Sequence, residues 1–209
     1  MEFRLWDIIA ETDLIGLRLS VDAQAWRRVA HIISDEIFER LSGDSGYFDT
    51  RIVYVAESGP QNKRLKRLAI MDQDGENHQY LTDGSFLVLT PRFSPTTQEI
   101  TYLAYFKNEP RVYIFNLETG EQELLGSFPG MTFAPRFSPF GDKIIMSLAE
   151  KGVTDIYTMN LNNQEVIRLT NSSSIDTSPS FSPNGKKIIF NSDRGGSQQI
   201  YIMDANGAN

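Results

Sequence analysis

The sequence contains no cysteine and only two histidines, His31 and His78. The lack of cysteine excludes disulfide bonds, thiolate metal ligands and a cysteine nucleophile. It does not indicate a redox compartment, because a cysteine-free chain tolerates either one. His31 lies among apolar neighbours and His78 lies in a polar turn, so structural or solvated roles are favoured over catalysis or metal binding. The sequence therefore predicts no enzyme, no metal site and no cofactor.

Long apolar runs and basic clusters are also missing. No stretch approaches the length of a membrane span, and residues 1–4 lack the basic start and apolar run of a signal peptide. The net charge is -7, from 20 basic and 27 acidic residues, which argues against nucleic acid, whose phosphates need clustered cations. The densest basic run, residues 63–67, is predicted to be a solvated loop. We expect neither membrane insertion nor nucleic-acid binding.

What the sequence does contain is a repeat, carried by two motifs with one spacing. Phe-Ser-Pro occurs three times, 44 residues apart, beginning at Phe93, Phe137 and Phe181. A strand-like motif keeps the same step at residues 67–72, 111–116, 155–160 and 199–204. A period of roughly 40 to 45 residues made of short strands is typical of one four-stranded blade of a β-propeller. The repeat predicts a mainly β fold, a partial β-propeller with 44-residue blades.

Each repeat is predicted to form four short antiparallel strands. In the last copy, the turn at Asn184 and Gly185 precedes a β-branched strand at 187–191. In the strand that follows, Tyr201 and Met203 should face one way, and Ile200 and Ile202 the other. Earlier copies add a fourth strand, at 121–126 and 165–170. Because proline cannot donate a ladder hydrogen bond, each Phe-Ser-Pro should end the first strand of its blade.

The first and last repeats are incomplete. Asp49 stands where the first Phe-Ser-Pro would begin, although the next strand, at 52–55, is plain. The last repeat stops at Asn209, after its third strand. Propellers close by sharing strands between the chain ends, which removes exposed sheet edges. We therefore expect a fragment with two complete and two partial blades, and a parent with about six blades.

The first 47 residues do not repeat. They predict two strands, at 3–8 and 14–19, joined by a turn at 11–13, and a helix from an N-cap at Asp22 to just before Gly43. The apolar stripe of this helix consists of Trp26, Val29, Ala30, Ile33, Ile37 and Leu41. A hairpin and one helix bury too little surface to fold alone. We expect residues 1–47 to be the C-terminal part of an α/β domain, and residues 48–209 to be blades one to four.

The helical segment 26–41, the strand at 50–55 and the Phe-Ser-Pro repeats, in this order, resemble the TolB family of the Tol-Pal system. The resemblance covers nearly the whole chain, and the helix before the first blade separates it from peptidase and lyase propellers with similar blades. It implies an N-terminal α/β domain, a six-bladed propeller and a periplasmic location. It also implies a non-enzymatic role in envelope integrity, cell division and protein import. Pal, the peptidoglycan-associated lipoprotein, is the implied partner; TolA is a doubtful one, because the segment that reaches TolA is absent here.

A propeller gathers the connections from outer to inner strands on one face, where a partner can bind. These connections should run through residues 83–92, 127–136 and 171–180. Phe128, with two apolar neighbours in the second connection, either anchors a partner or fills the channel. By resemblance, Pal contacts are expected at Met131, Thr132, Phe133, Ala134, Arg136, Ile175, Asp176 and Thr177.

Two alternatives stay open at this point: a propeller that gates substrate for an absent peptidase or lyase domain, and a degraded fragment without function. The only nucleophile-like string, residues 43–46, is followed by Tyr47 rather than the expected glycine. Four polar residues recur at the ends of the third strands and are explained as turn caps: Asp72, Asn116, Asn160 and Asp204. The favoured interpretation is therefore a non-enzymatic interaction module.

Overall fold

The computed structural model describes residues 1–20, 25–126, 128 and 131–208, with only the backbone of residues 131–134. This part of the chain contains one helix and sixteen strands, and the strands form five sheets. The chain divides into two compact units, one comprising Met1–Ile52 with Ile70–Gln79 and the other Val53–Ala69 with Tyr80–Asn209. The domain boundary between residues 47 and 48 stays a prediction.

The first unit begins with a hairpin of β1 (Glu2–Asp7) and β2 (Thr12–Arg18), whose turn lies earlier than predicted, at residues 8–11. Helix α1 (Trp26–Ser42) ends at Gly43, whose φ of 80° forms a left-handed cap while its N–H donates to Glu39 O at 2.8 Å. The predicted N-cap, Asp22, lies outside the described residues.

The predicted apolar stripe of α1 is only partly covered. Val29 is buried, and Ile33 and Ile37 are half-buried. Trp26 and Leu41 are 58% and 74% exposed, and Ala30 is exposed as well. The predicted helix is therefore present, and packing within the described residues covers only part of its apolar stripe.

The remaining strands form four sheets in the order of the repeats. Blade one contains β3 (Arg51–Ser58), β4 (Leu65–Asp72) and β5 (Gln79–Tyr80). Blade two contains β6 (Leu87–Phe93), β7 (Glu99–Phe106), β8 (Glu109–Asn116) and β9 (Gln122–Gly126). Blade three contains β10 (Met131–Phe137), β11 (Lys143–Glu150), β12 (Val153–Asn160) and β13 (Val166–Arg168). Blade four contains β14 (Thr177–Phe181), β15 (Lys187–Ser192) and β16 (Gln199–Asp204).

These sheets confirm the predicted blade pattern. Blades two and three have four antiparallel strands each, and the described parts of blades one and four have three. The first strands of blades two to four end at Phe93, Phe137 and Phe181, directly before Ser-Pro. The proline therefore stands beyond the ladder, where its missing N–H costs nothing.

The apolar core lies between successive blades. Leu103 and Val112 of blade two pack in one cluster with Phe137, Ile144 and Met146 of blade three. A second cluster contains Ile145 and Ile156 of blade three together with residues of blade four: Ile188, Phe190 and Met203. Strand β11 is therefore buried on both faces, and it reads as a continuous apolar run rather than an alternating one.

Polar residues at the strand ends hold the turns, as predicted for the two asparagines. Asn116 Oδ1 accepts hydrogen bonds from the backbone N–H groups of Glu118 and Thr119 at 2.9 and 3.0 Å, and Asn160 Oδ1 accepts one from Asn162 N–H at 2.8 Å. The two aspartates bind side chains instead. Asn77 Nδ2 donates to Asp72 at 2.6 Å, and Lys187 pairs with Asp204 at 2.7 Å.

The basic run at residues 63–67 is not only loop, because β4 begins at Leu65. Glu57 on β3 pairs with Lys66 at 2.8 Å and with Arg64 at 3.6 Å. The hydrogen bond from Lys66 holds the pKa of Glu57 below its usual value. A single carboxylate is thus shared by two of the four cations of this run.

Candidate partner-binding face

The connection between β13 and β14 is pinned to blade three by backbone hydrogen bonds. Asp176 N–H donates to Thr154 O at 2.8 Å, and Thr154 N–H donates to Ser174 O at 3.4 Å. Thr154 and Ile175 form an isolated parallel bridge. The segment that sequence reasoning treated as a loop is therefore held in one conformation before any partner binds.

A buried carboxylate holds the beginning of this connection. Asp155 accepts a hydrogen bond from Arg168 Nη2 at 2.5 Å and one from Thr170 Oγ1 at 3.2 Å. The same hydroxyl oxygen accepts from Ile156 N–H at 3.0 Å. Asp155 is 3% exposed, and a buried charge requires such partners. These contacts fix the chain where it leaves the outer strand.

A second buried carboxylate, Asp176, holds the end of the connection. Its Oδ2 accepts from Arg194 Nη2 at 3.0 Å, and the Arg194 guanidinium also lies over the rings of Phe190 and Tyr201 at 5.0 and 4.9 Å. Asp176 side-chain exposure is 0%. Asp176, one of the predicted Pal contacts, is thus buried in the blade, where its carboxylate positions the connection.

Ile175 is left on the outside of this pinned segment. Its N–H donates to Asp193 Oδ1 at 2.8 Å, whereas its side chain is 42% exposed. The neighbouring Thr177 begins β14 and is half-buried. Two predicted contact residues, Ile175 and Thr177, therefore flank the buried carboxylate and lie together at one end of blade four.

The connection between β9 and β10 differs from its prediction. Residues 131–136 were expected in a loop, but β10 already begins at Met131, which pairs with Ala149, while Thr132 and Phe133 pair with Leu148 and Ser147. The ladder continues across a register shift before Arg136, so the loop prediction is wrong for this stretch. Ala134 lies within the same strand. The side chains of residues 131–134 lie outside the described part of the structure.

Phe128, offered by the sequence as either an anchor or a filler, packs inward. It is half-buried against the cluster shared by blades two and three. Its ring lies so close to Gly126 that a Cβ there would meet the ring at 2.8 Å. The packing alternative therefore describes Phe128, and Gly126 provides the space for it.

Arg136, the remaining predicted contact, lies at the opposite end of its strand. It is five residues beyond Met131 in β10, which corresponds to about 16 Å along a strand. Arg136 lies beside Phe137, where β10 ends before the Ser-Pro turn. Ile175 lies in the connection between β13 and β14. Arg136 thus lies apart from Met131 along the same strand, and its role as a contact stays a prediction.

A cavity of about 290 Å³ lies beside the connection between β5 and β6. Its walls include the aromatic rings of Phe86, Phe106, Tyr102 and Tyr113. Tyr102 donates to Gln122 Oε1 at 2.9 Å, and burial raises the pKa of its hydroxyl. Sequence reasoning missed this cavity, because its walls come from the connection before β6 and from separate strands of blade two, and no motif marks them.

Among the described residues, His31 is paired with a carboxylate, as a catalytic histidine can be. His31 Nε2 lies 3.1 Å from Asp74 Oδ2, and Arg27 pairs with the same carboxylate. A hydrogen bond from the backbone of Glu76 is the main cause that lowers the pKa of Asp74. Within the described ranges, no cluster of three or more acidic or histidine side chains could hold a metal ion, and no helix is long and apolar enough to cross a membrane.

Comparison with known proteins identifies the fold and the relatives. The family model of the TolB β-propeller domain, PD40, matches residues 38–209. Tol-Pal system protein TolB from Paramagnetospirillum magneticum is 65% identical over 133 residues, which are 64% of this chain and 30% of the relative. The protein of the same name from Pelagibacter ubique is 64% identical over 133 residues, again 64% of this chain and 30% of the relative.

Solved structures agree with this result. The crystal structure of TolB from Acinetobacter baumannii superposes with a TM-score of 0.88 and 35% identity, over 99% of this chain and 52% of that chain. An oligogalacturonate lyase in complex with manganese shares the fold, with a TM-score of 0.60 and 19% identity over 75% of this chain and 46% of that chain. This chain spans about half the length of the solved TolB.

Proposed function

Because this chain belongs to the TolB β-propeller family of the Tol-Pal system, we propose that it is a non-enzymatic module that binds the lipoprotein Pal in the periplasm. In this role it contributes to outer-membrane integrity and cell division. The observation that carries the proposal is the exposure of Ile175 on a connection that is otherwise held by two buried carboxylates and their arginine partners. A partner that binds there meets a preformed surface.

Preorganisation favours binding, because ordering a loop during association costs affinity. Backbone bonds to Thr154 and the carboxylates of Asp155 and Asp176 already fix this connection. An exposed aliphatic side chain on such a rigid segment can enter an apolar pocket of the partner without that cost. In this arrangement Ile175 and Thr177 contact Pal, and Asp176 acts as a positioning residue.

The experiment is a titration of the 209-residue chain with the soluble part of Pal, followed by calorimetry. Ile175→Ala should weaken binding by about tenfold, the loss expected for a moderately important contact residue. Ile167→Ala is the matched control, since Ile167 is 50% exposed on the outer strand of blade three. This variant should bind like the wild type.

A thermal melt provides the second measurement. Pal should raise the midpoint of unfolding of the chain, because a ligand stabilises the state that it binds. If the Ile175 and Ile167 variants lose binding equally, the proposal that Pal contacts this connection is wrong. No heat of binding together with no thermal shift would refute Pal binding by this chain.

A further inference from the structure

The inner strands of blades two and three place two arginines at equivalent positions. Arg92 on β6 pairs in register with Thr101, and Arg136 on β10 pairs with Ile145. Each arginine directly follows a register shift in its ladder, and β6 and β10 contact each other. The repeat therefore places two arginines at equivalent positions of neighbouring inner strands.

Arg136 lacks the partners that other partly buried arginines of this protein have. Its Nε–H is buried, and no acceptor of the described residues lies within hydrogen-bond distance of it. The Nε atoms of Arg27, Arg67 and Arg111 are likewise unbonded, but these three side chains have other partners. Arg27 pairs with Asp74, Arg111 pairs with Glu109, and Arg67 lies over the ring of Tyr80 at 4.4 Å. In the described part of the chain, Arg136 has neither an ion pair nor a ring contact.

The two positive charges also act on each other. Burial, and then the neighbouring charge of Arg92, lower the pKa of Arg136. Arg92 itself donates only to the backbone, from Nη1 to Pro91 O at 2.9 Å. No described acidic side chain forms an ion pair with either residue, although the chain carries a net charge of -7. Two like charges in this position are unfavourable unless an anion joins them.

We propose that Arg92 and Arg136 form a binding site for an oxyanion, either a phosphate or a carboxylate, on the inner strands of blades two and three. The planar guanidinium group matches the oxygen pairs of both anions and binds them with two parallel hydrogen bonds. An anion between the two arginines supplies acceptors to Arg136 and cancels the mutual repulsion. This site lies at the opposite end of the inner strands from Ile175, so it is distinct from the proposed Pal surface.

The test is a set of thermal melts in HEPES with inorganic phosphate or succinate, at ionic strength held constant with sodium chloride. Wild-type protein should show a saturable rise in the midpoint of unfolding. Arg92→Gln and Arg136→Gln should each weaken binding of the anion by about tenfold, since each substitution removes a charge-assisted hydrogen-bonding group. Arg18→Gln is the matched control, because Arg18 has a side chain that is 84% exposed on β2. This variant should keep the full shift.

The two anions distinguish the sources of the ligand. A shift with phosphate alone identifies a phosphate site, and a shift with succinate alone identifies a site for the carboxylate of a small molecule or of an acidic partner side chain. If Arg136→Gln does not fold, the exposed Arg92 carries the test, with Arg92→Lys expected to retain part of the shift. The proposal is wrong if neither anion stabilises the wild type, or if Arg92→Gln responds like Arg18→Gln. Pal titration of Arg92→Gln stays independent of this test, since Arg92 is not an expected Pal contact and Ile175 is unchanged in this variant.

Discussion

Arg194 Nη2 donates a 3.0 Å hydrogen bond to Asp176 Oδ2, joining the turn after β15 to the connection before β14. Asp176 is fully buried, whereas the Arg194 side chain is 37% exposed. Blade three has a related pair, in which Arg168 binds the buried Asp155. In both blades an arginine from the surface neutralises a carboxylate that holds the same connection, so the shape of the proposed Pal surface depends on these pairs.

Replacing Arg194 by Gln leaves the carboxylate of Asp176 buried without its cation. We expect this change to lower the free energy of unfolding by about 2 kcal/mol, less than for a fully buried pair because Arg194 is partly exposed. Urea unfolding followed by circular dichroism measures the loss. Lys151→Gln is the control, since the Lys151 side chain is 87% exposed beside Glu150. Equal stability of the two variants would show that the buried pair contributes nothing.

Phe137→Ala removes a large side chain from the cluster between blades two and three. Phe137 is 9% exposed there, and we expect a loss on the order of 3 to 5 kcal/mol, from lost burial and the cavity left behind. Phe140 lies three residues further and is 66% exposed, so Phe140→Ala should cost far less. Chemical denaturation of both variants checks this difference. A Phe137 variant as stable as the Phe140 variant would contradict the inner packing.

Gly59 and Gly152 test the two costs of a left-handed glycine separately. Both have a positive φ, of 89° and 87°. A Cβ at Gly59 would meet the carbonyl oxygen of Lys63 at 2.8 Å, whereas a Cβ at Gly152 would meet open space. Gly152→Ala should therefore cost about 1 to 2 kcal/mol from backbone strain alone. Gly59→Ala should cost more, because a backbone oxygen must also move, and urea unfolding of both variants measures the difference.

Blade four presents an apolar face that no described residue covers. Ile189, Ile200 and Ile202 are 47%, 81% and 61% exposed, and Ile189 stands directly opposite Ile202 in the ladder. We expect the 209-residue chain to self-associate through this face, because contiguous apolar surface drives association in water. Light scattering after gel filtration should show Ile200→Lys as less associated than the wild type. A monodisperse wild-type monomer with a sharp, high-temperature transition would contradict this expectation.

The sequence predicted the blade strands well and the first residues of β10 poorly, for different physical reasons. Strand ends at Phe93, Phe137 and Phe181 follow from proline chemistry, which is local and therefore visible in the sequence. The start of β10 at Met131 was missed, because apolar residues after a turn are compatible with both loop and strand. Asp176 was predicted on the surface, since a single chain does not reveal that Arg194 will neutralise it inside.

The sequence by itself determined the repeat, the number and order of the strands and the positions of most turns, because these depend on local backbone preferences and on residue spacing. Tertiary structure alone decided which faces became core. Residues 143–145 and 187–189 have the same sequence, Lys-Ile-Ile. Ile144 and Ile145 are both fully buried, whereas Ile188 is fully buried and Ile189 is 47% exposed. The first strand has a blade on each side and the second has only one among the described residues, so identical residues bury different amounts of surface.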